Sequence, residues 1–361
     1  MLKNFFVTFI TTFFLLFLVE IISGKFFLGN KLDCIYLKCN IKYHLNVNFI
    51  NQDKTKKIFY SRDTNGFRGV RKKYSDIDFL VVGGSTTEEK FLDNKDTWTE
   101  KLEKKFLNED YDVEVVNAGI DGQSTMGHLN NFEDWFPYVK NLKPKFIVFY
   151  IGLNEHRSES FLKYDNLNKN ITLIGKLKKV LKKNNGIFSN LIRKINQKKV
   201  LDHNNFNKIF VHSPDIKKKY DIKNLNKESP YDDEFDLWLG KDFNLRLNQL
   251  VQYTYKMNAK PIFISQKSRR WFFDNNNLFE AFDENMKKNK KSQSYFYKEK
   301  RIDQEIKNFT DRNNLNFISG FKNFEFKEEF FYDYTHTNII GSEYISRILY
   351  PFLKKIYVNN I

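Results

Sequence analysis

The stretch that decides the fold is Asp78-Phe-Leu-Val-Val-Gly-Gly-Ser-Thr-Thr87. Its four apolar residues, 79–82, predict a short strand that is buried on both faces. The two glycines that follow allow a tight turn, which brings the backbone close to whatever lies above the strand. Ser85 therefore falls at the carboxyl end of a parallel-type strand, where open α/β sheets place their chemistry. On this stretch alone, a turn in which Ser85 merely caps the next helix is an equally good interpretation.

The rest of the chain repeats the alternation of strand and helix. Strands that alternate with helices, the first three strands ending in glycine-containing polar loops, predict a doubly wound parallel sheet. The loops would then gather at one edge of the sheet, with Ser85, Gly122 and Asn154 on that edge. The further strands are predicted at residues 113–119, 146–152, 261–266 and 315–319, and the helices at about 96–107, 129–140, 242–257, 298–312 and 342–356.

Composition limits the classes of function. The chain has 361 residues, 41% of them hydrophobic, and a formal charge of +16. Lys, Asn, Ile and Phe are enriched together, which is typical of A/T-rich coding sequence rather than of a nucleic-acid-binding surface. Because no nucleic-acid motif accompanies the charge, no nucleic-acid partner is expected. An attraction to anionic surfaces, including lipid headgroups, stays open.

The N-terminus predicts a membrane anchor. Residues 5–22 form an apolar run with Glu20 near its end, at the lower limit of length for a membrane span. A cleaved signal peptide is the main alternative, but no small-residue A-x-A site follows the run. A buried core helix is less favoured. Lys25 and Lys31 lie beyond the run and Lys3 before it, so charge does not decide the orientation of the anchor.

Three regions follow from this reading. Residues 1–30 are the anchor, residues 31–75 a lead-in segment expected to pack beside the first strand, and residues 76–361 the main domain. A lysine-rich insertion at about 157–240 interrupts the main domain. Such a charge run is by default solvated; a lid over the loop edge, or a patch that touches a membrane, is the sharper interpretation. Residues 270–300 are expected to be irregular with one helix.

Cys34 and Cys39 are the only cysteines. They could form a small disulfide loop if this part of the chain lies outside the cytoplasm, or they could stay reduced. Two cysteines without a matching pair of histidines do not make a zinc site, and no metal or cofactor site is predicted.

One of the six histidines has a carboxylate at a useful spacing. In Asp333-Tyr-Thr-His336, the carboxylate can accept a hydrogen bond from Nδ1–H of the ring. That bond would fix the tautomer and leave Nε2 free to take a proton from a serine. His128 and His156 lie near the predicted loop edge but have no such carboxylate. On its own an Asp-x-x-His segment is more often a surface turn.

Four short blocks occur in a fixed order along the chain: Gly-Gly-Ser85, Asn117-Ala-Gly-Ile-Asp-Gly122, Gly152-Leu-Asn154-Glu and Asp333-Tyr-Thr-His336. Their order and spacing resemble the four signature blocks of the SGNH (GDSL-type) hydrolases. The resemblance covers roughly residues 76–355 and leaves the insertion unexplained. Four ordered blocks are far more specific than any one of them. The resemblance implies a three-layer α/β/α flavodoxin-like sandwich with a parallel sheet of about five strands, preceded here by an N-terminal transmembrane helix.

The resemblance also implies roles for individual residues. Ser85 would be the nucleophile, His336 would take its proton, and Asp333 would orient the ring of His336. The oxyanion would be held by the backbone N–H groups of Ser85 and Gly122 and by the side-chain amide of Asn154. A side chain at position 122 is expected to block the approach of its own N–H. The activity implied is that of a serine esterase or acylhydrolase without cofactor or metal, acting on an O-acylated carbohydrate or an envelope or lipid ester.

Two positions depart from the family pattern. The aspartate usual before the serine is Gly84 here, and the aspartate usual after the third-block asparagine is Glu155. These departures bear on substrate class and rate more than on reaction type. An O-acyltransferase with the same residues and a non-catalytic binding protein are the alternatives.

The segment Asn65-Gly-Phe-Arg-Gly69 and the helix near residues 96–102 resemble a membrane-anchored bacterial branch of the family. This resemblance implies a single-pass protein of the inner membrane with a periplasmic catalytic domain. The oligomeric state is not predicted.

Overall fold

The structure is a computed structural model of the chain. It describes residues 2–23, 37, 39–47, 57–69, 74–155, 216–220, 230–268, 271–274, 277–282, 292–333 and 335–360. The chain divides into two compact units, which are described separately here. One consists of Met1–Leu37 and Asn166–Ile209, and the other of Lys38–Asp165 and Phe210–Ile361.

In the first unit the structure describes one helix, α1, Leu2–Ser23. Large apolar side chains are exposed along it, and Phe5, Phe9 and Phe13 are each more than 60% exposed. This helix coincides with the predicted anchor. Among the helices that the structure describes, however, none has both the length and the apolar character needed to cross a membrane. The predicted transmembrane helix is therefore not found.

The second unit is built on a five-stranded parallel sheet. Counted along the chain, the order of its strands across the sheet is 2-1-3-4-5, which is the flavodoxin-like order. The first strand is central and every one of its residues is buried, as the apolar run predicts. The parallel sheet and its order confirm the predicted α/β architecture. The five strands are β3 (Ile77–Gly83), β4 (Val115–Gly119), β5 (Pro144–Ile151), β7 (Lys260–Ser265) and β10 (Asn316–Ile318).

Helices cover both faces of this sheet. They are α2 (Ser85–Glu88), α3 (Trp98–Leu107), α4 (Thr125–Asp134), α5 (Pro230–Trp238), α6 (Asn244–Lys256), α7 (Ser292–Arg312), α8 (Gly320–Asn323) and α9 (Ile339–Val358). A π-helical turn, Leu239–Phe243, joins α5 to α6.

The two faces have different partners. On one face, Phe79 of β3 lies in a buried cluster with Phe106 of α3 and Leu349 of α9. On the other face, Phe149 of β5 contacts Phe132 of α4, with 6.2 Å between the ring centroids. Helices α6 and α7 pack on this second face, against β7. The sheet is thus the middle of three layers, and its strand ends are left open to carry loops.

The lead-in segment forms an antiparallel hairpin of β1 (Ile41–Asn46) and β2 (Lys57–Arg62). The sequence predicts that the lead-in segment packs beside β3, but in the structure the segment packs beside β4. The N–H of Arg68 donates to the carbonyl of Asn117 in β4 at 3.0 Å. The reason is topological. Strand β3 has a neighbouring strand on each side, whereas β4 is at the edge of the sheet and its outer backbone groups need partners.

A second, antiparallel sheet was not predicted. It contains β6 (Ile216–Tyr220), β9 (Asn277–Phe282) and β8 (Trp271–Asp274), in that order. Strands β8 and β9 fall in the region expected to be irregular, and their aromatic residues around an asparagine-rich connection are the hairpin signal that was overlooked. Most of the predicted lysine-rich insertion lies outside the described residues, except for residues 216–220 and 230–240. The predicted domain boundaries stay predictions.

Candidate active site

Ser85 is the first residue of α2, directly after β3 and the two glycines. Helix α2 lies so close to the strand ends that a Cβ on Gly119 at the end of β4 would come within 2.2 Å of the backbone nitrogen of Glu88. A side chain at position 119 would therefore not fit, and α2 lies in close backbone contact with the end of β4. Only 8% of Ser85 is exposed.

The structure brings Ser85, His336 and Asp333 together. Oγ of Ser85 lies 2.7 Å from Nε2 of His336, and Nδ1 of His336 lies 2.6 Å from Oδ2 of Asp333. A carboxylate can only accept from the ring, so Nδ1 carries the hydrogen and Nε2 accepts the hydroxyl proton of Ser85. The three groups form one continuous chain of hydrogen bonds between residues that are 251 positions apart in the sequence.

Asp333 is held by its own loop. Its Oδ1 accepts the backbone N–H groups of Thr335 and His336, each at 2.7 Å. Burial raises the pKa of the Asp333 carboxyl, but the hydrogen bonds and charge of His336, together with the two backbone N–H groups, outweigh burial and leave the pKa below its usual value. Asp333 is therefore ionised at neutral pH, which is the state needed to orient the imidazole ring and to stabilise a positive charge on it.

The predicted oxyanion groups lie at neighbouring strand ends. The side-chain amide of Asn154, after β5, donates to the carbonyl of Gln123 at 2.8 Å, which ties it to the loop that carries Gly122. The backbone N–H of Ser85 is at the N-terminus of α2. The strand order reverses between β3 and β5, and open α/β sheets form their ligand crevice at such a reversal.

The backbone conformation at position 122 gives a further reason for glycine, beside the expected access to its N–H. A Cβ there would meet nothing within 4 Å, so no protein atom excludes a side chain. The residue has φ of +75°, in the left-handed region that glycine adopts without a steric penalty. The backbone conformation at this position therefore favours glycine.

Gly84, the first departure from the family pattern, has a steric explanation. A Cβ at this position would lie 2.6 Å from Nδ2 of Asn154 and 3.0 Å from the carbonyl oxygen of Gln123. Both distances are shorter than van der Waals contact. The amide of Asn154 therefore takes the space that a side chain at position 84 would need.

Glu155, the second departure, braces two of the loops. Its carboxylate accepts the backbone N–H of Thr125 at 2.6 Å and the hydroxyl of Thr125 at 3.0 Å, at the start of α4. The guanidinium of Arg246 lies 3.5 Å away. Burial raises the pKa of Glu155, although the charge of Arg246 and the bonds from Thr125 oppose the rise. The side chain therefore joins the loop of Asn154 to the helix that follows the loop of Gly122.

Two buried arginines below the site were not predicted to matter. Arg62 and Arg68 are 3% and 2% exposed. Nη2 of Arg62 lies 3.0 Å from Oε1 of Glu88 and donates to the carbonyl of Gly119 at 2.6 Å. Nε of Arg68 donates to the carbonyl of Glu88 at 3.1 Å. Through Arg62 and Arg68, the lead-in segment thus contacts the last residue of α2. Arg68 lies in the segment 65–69 that the sequence analysis compared with the membrane-anchored branch, but that resemblance carried no information on its side chain.

Gln266 is a further residue that sequence reasoning passed over. It follows β7, and its Oε1 accepts the N–H of Leu153 at 2.9 Å. Its Nε2 donates to the hydroxyl of Thr86 at 2.6 Å and to the carbonyl of Tyr150 at 3.0 Å. The amide thus links the residue after Ser85 to the residue before Asn154. A polar residue directly after a buried strand was the available signal.

His128 is set apart from this site. It is 1% exposed, and Nδ1 lies 3.2 Å from Oε1 of Gln123. Burial lowers the pKa of His128 to about 3, so the ring is neutral at physiological pH. His156 lies outside the described residues.

No family model matches the chain. It is 34% identical to Esterase TesA of Pseudomonas aeruginosa over 76 residues, which are 21% of this chain and 36% of that protein. The match thus spans about a third of the curated relative.

Two solved structures are among those similar to the chain. The psychrotrophic esterase EstA from Pseudoalteromonas sp. is 13% identical, with 79% of this chain and 100% of that one covered and a TM-score of 0.41. A member of the lipolytic protein G-D-S-L family from Veillonella parvula is 12% identical, with 76% and 96% covered and a TM-score of 0.40.

Proposed function

We propose that the chain is a serine esterase of the SGNH type that works through an acyl-enzyme. The single observation that carries the proposal is the unbroken hydrogen-bond chain from the Ser85 hydroxyl through His336 to Asp333. This constellation is recognised by its geometry and not by its position in a sequence. The local similarity to an esterase in sequence agrees with the proposal.

The geometry supports a two-step reaction. Oγ of Ser85 attacks the ester carbonyl while its proton passes to Nε2 of His336, and Asp333 stabilises the imidazolium that results. The tetrahedral intermediate collapses when the ester bond breaks and His336 gives the proton to the departing alcohol. A water molecule then attacks the acyl-enzyme, with His336 again as base. The products are the free acid and the regenerated Ser85.

The oxyanion of each tetrahedral intermediate would be held by three N–H donors. They are the backbone N–H groups of Ser85 and Gly122 and the side-chain amide of Asn154. Loss of one such donor typically costs about 100- to 1,000-fold in kcat, because a fixed dipole in a partly buried site needs no rearrangement during the reaction. Ser85, Gly122 and Asn154 follow three adjacent strands of the sheet, which supports a common site for these donors.

For the substrate we propose an O-acylated carbohydrate or an ester of an envelope lipid. The resemblance of the lead-in turn, residues 65–69, and of α3 to a membrane-anchored branch of the family supports this class. The same residues could pass the acyl group to a sugar hydroxyl in place of water, and the assay below distinguishes the two acceptors.

We further propose that α1 attaches the protein to the inner membrane, with the second unit in the periplasm. Phe5, Phe9 and Phe13 are exposed on α1 together with their apolar neighbours, and an exposed apolar patch marks a contact with protein or with a membrane. Cys39 is disulfide-bonded, which is the state favoured by an oxidising compartment such as the periplasm. Recovery of the full chain in the soluble fraction after gentle lysis would contradict the membrane attachment.

The test of the proposed function is covalent labelling of the full chain with a fluorophosphonate. We expect the wild type to be labelled and Ser85→Ala to be unlabelled, with Ser124→Ala as a matched control that keeps the label. Equal labelling of wild type and Ser85→Ala would refute the proposal. Hydrolysis of p-nitrophenyl esters of graded chain length and of acetylated sugars, with and without a carbohydrate acceptor, then identifies the acyl group and the acceptor.

A further inference from the structure

The carboxylate of Glu89 lies between the turn that carries Ser85 and the loop that carries His336. Glu89 is 4% exposed. Its Oε1 accepts the hydroxyl of Thr337 at 3.0 Å, across 248 positions of sequence. The same oxygen accepts the hydroxyl of Ser342 in the first turn of α9, and Oε2 accepts the backbone N–H of Trp98 at the start of α3 at 2.7 Å.

The backbone of Glu89 is tied directly to the turn of Ser85. Its N–H donates to the carbonyl of Ser85 at 2.8 Å and ends α2. Glu89 has φ of 46° and ψ of 54°, a left-handed conformation that is unfavourable for a residue with a side chain. Such conformations persist where the surroundings hold them, often at functional sites. In this conformation the side chain of Glu89 reaches the hydroxyl of Thr337.

On the other side, Thr337 is the residue directly after His336. It forms a β-bridge with Phe331, and the N–H of Tyr332 donates to the carbonyl of His336 at 3.0 Å. These bonds hold His336 and Thr337 against Tyr332 and Phe331. A contact that fixes Thr337 therefore fixes the backbone on which the ring of His336 is carried.

We propose that Glu89 is a positioning residue that sets the distance between Ser85 and His336 by holding Thr337. The inference rests on the proposed function, since it concerns the proton transfer between those two residues. The observed distance between Oγ and Nε2, 2.7 Å, is that of a hydrogen bond ready for transfer. Release of Thr337 would let the loop of His336 move relative to α2.

Glu89 has a structural role as well, because it accepts an N–H at the start of α3, and the experiment must separate the two roles. Thr337→Val removes the hydroxyl that links Glu89 to the loop of His336 and keeps the shape of the side chain. Ser342→Ala removes a hydroxyl from the same carboxylate oxygen, but on α9. It is the matched control, since its loss leaves the link to Thr337 intact.

The measurement is kcat and KM for p-nitrophenyl acetate, with urea unfolding of each full-length variant. A misplacement of about 1 Å can cost about 100-fold in rate, so we expect Thr337→Val to lower kcat by about 10- to 100-fold with KM little changed. Ser342→Ala should keep kcat within about twofold of the wild type, since it moves neither reacting group. An unchanged kcat in Thr337→Val, or equal losses in both variants, would overturn the inference.

A second pair of variants covers the case in which Thr337→Val does not fold. Glu89→Gln keeps the shape, and its amide can accept from Trp98 and donate to the hydroxyl oxygens of Thr337 and Ser342. We expect Glu89→Gln to keep most of kcat and Glu89→Ala to lose it; equal kcat in the two would overturn the inference. A wild type that hydrolyses no ester and takes no fluorophosphonate label would overturn the proposed function, and the inference with it. A labelled wild type whose variants behave alike overturns the inference alone.

Discussion

Replacement of Glu89 by glutamine should remove a large part of the pH dependence of stability. Burial raises the pKa of Glu89 to about 7 from its ordinary value of 4.5, although hydrogen bonds from Ser342, Trp98 and Thr337 and the charge of Arg68 oppose the rise. The folded state therefore favours the protonated acid. The stabilisation from this preference is complete below pH 4.5 and is lost as the pH rises through about 7.

The magnitude follows from the two pKa values. Each unit of difference between the two pKa values corresponds to about 1.4 kcal/mol, so protonation of Glu89 contributes about 3 kcal/mol to the free energy of unfolding at low pH. About 2.5 kcal/mol of this contribution is lost between pH 5 and pH 8. Glutamine cannot ionise, so Glu89→Gln should lack this loss. Every other carboxyl group is present in both proteins and cancels when the two pH dependences are subtracted.

The assay is urea unfolding of the full chain at pH 5 and pH 8. Glu88→Gln is the matched control. Glu88 is also buried, but the charge of Arg62 and the hydrogen bonds from Tyr60 and Arg62 outweigh burial and lower the pKa of Glu88 to about 2. Glu88 therefore stays ionised in the folded protein from pH 5 to pH 8, and its replacement should destabilise the protein by nearly the same amount at both. If wild type and Glu89→Gln lose equal stability between the two pH values, the reasoning is refuted.

Three further predictions concern activity toward p-nitrophenyl acetate. Asn154→Ala should lower kcat by about 100- to 1,000-fold through loss of one oxyanion donor. Gly84→Ala should lower kcat, since the added Cβ would lie 2.6 Å from Nδ2 of Asn154 and 3.0 Å from the carbonyl oxygen of Gln123; Gly240→Ala, whose Cβ would meet nothing within 4 Å, is its control. Asp333→Asn should lower kcat by about 10,000-fold, because an amide can hold the wrong tautomer of His336.

Each of these outcomes can be contradicted by a simple measurement. Full activity in Asn154→Ala would remove its amide from the oxyanion site. Equal kcat in Gly84→Ala and Gly240→Ala would show that the amide of Asn154 tolerates a methyl group at position 84. An Asp333→Asn variant that keeps its rate while remaining folded by circular dichroism would remove the role of that carboxylate.

The sequence was sufficient to predict the sheet and the meeting of distant loops. Short apolar runs such as residues 79–82, each followed by glycine, predict buried strands, and the carboxyl ends of parallel strands share one edge. The topology places Ser85, Gly122 and Asn154 at that edge, whereas the pairing of Ser85 with His336 was implied by the resemblance of the four blocks to the SGNH hydrolases. The partners of buried charges could not be predicted in the same way. Arginine is almost always exposed unless it is paired, and nothing near Arg62 indicates that Glu88 will pair with it.

The two neighbouring glutamates show the same limit more sharply. Glu88 and Glu89 are adjacent residues of the same type, yet the pKa of Glu88 is lowered to about 2 and the pKa of Glu89 is raised to about 7. The difference arises because Arg62 lies 3.0 Å from Glu88, whereas Glu89 is surrounded mainly by uncharged donors. Such a difference depends on distances between segments, which a local pattern does not contain.

The burial of Arg62 and Arg68 decides where the chain can be shortened for expression or crystallisation. A version that starts after residue 69 would keep the whole parallel sheet and all the proposed catalytic groups. It would, however, leave the buried carboxylate of Glu88 without the guanidinium of Arg62. Loss of one member of a buried ion pair lowers the free energy of unfolding by about 3–5 kcal/mol. It would also bare the outer edge of β4 to other molecules. A trimmed enzyme without α1 should therefore begin upstream of residue 57.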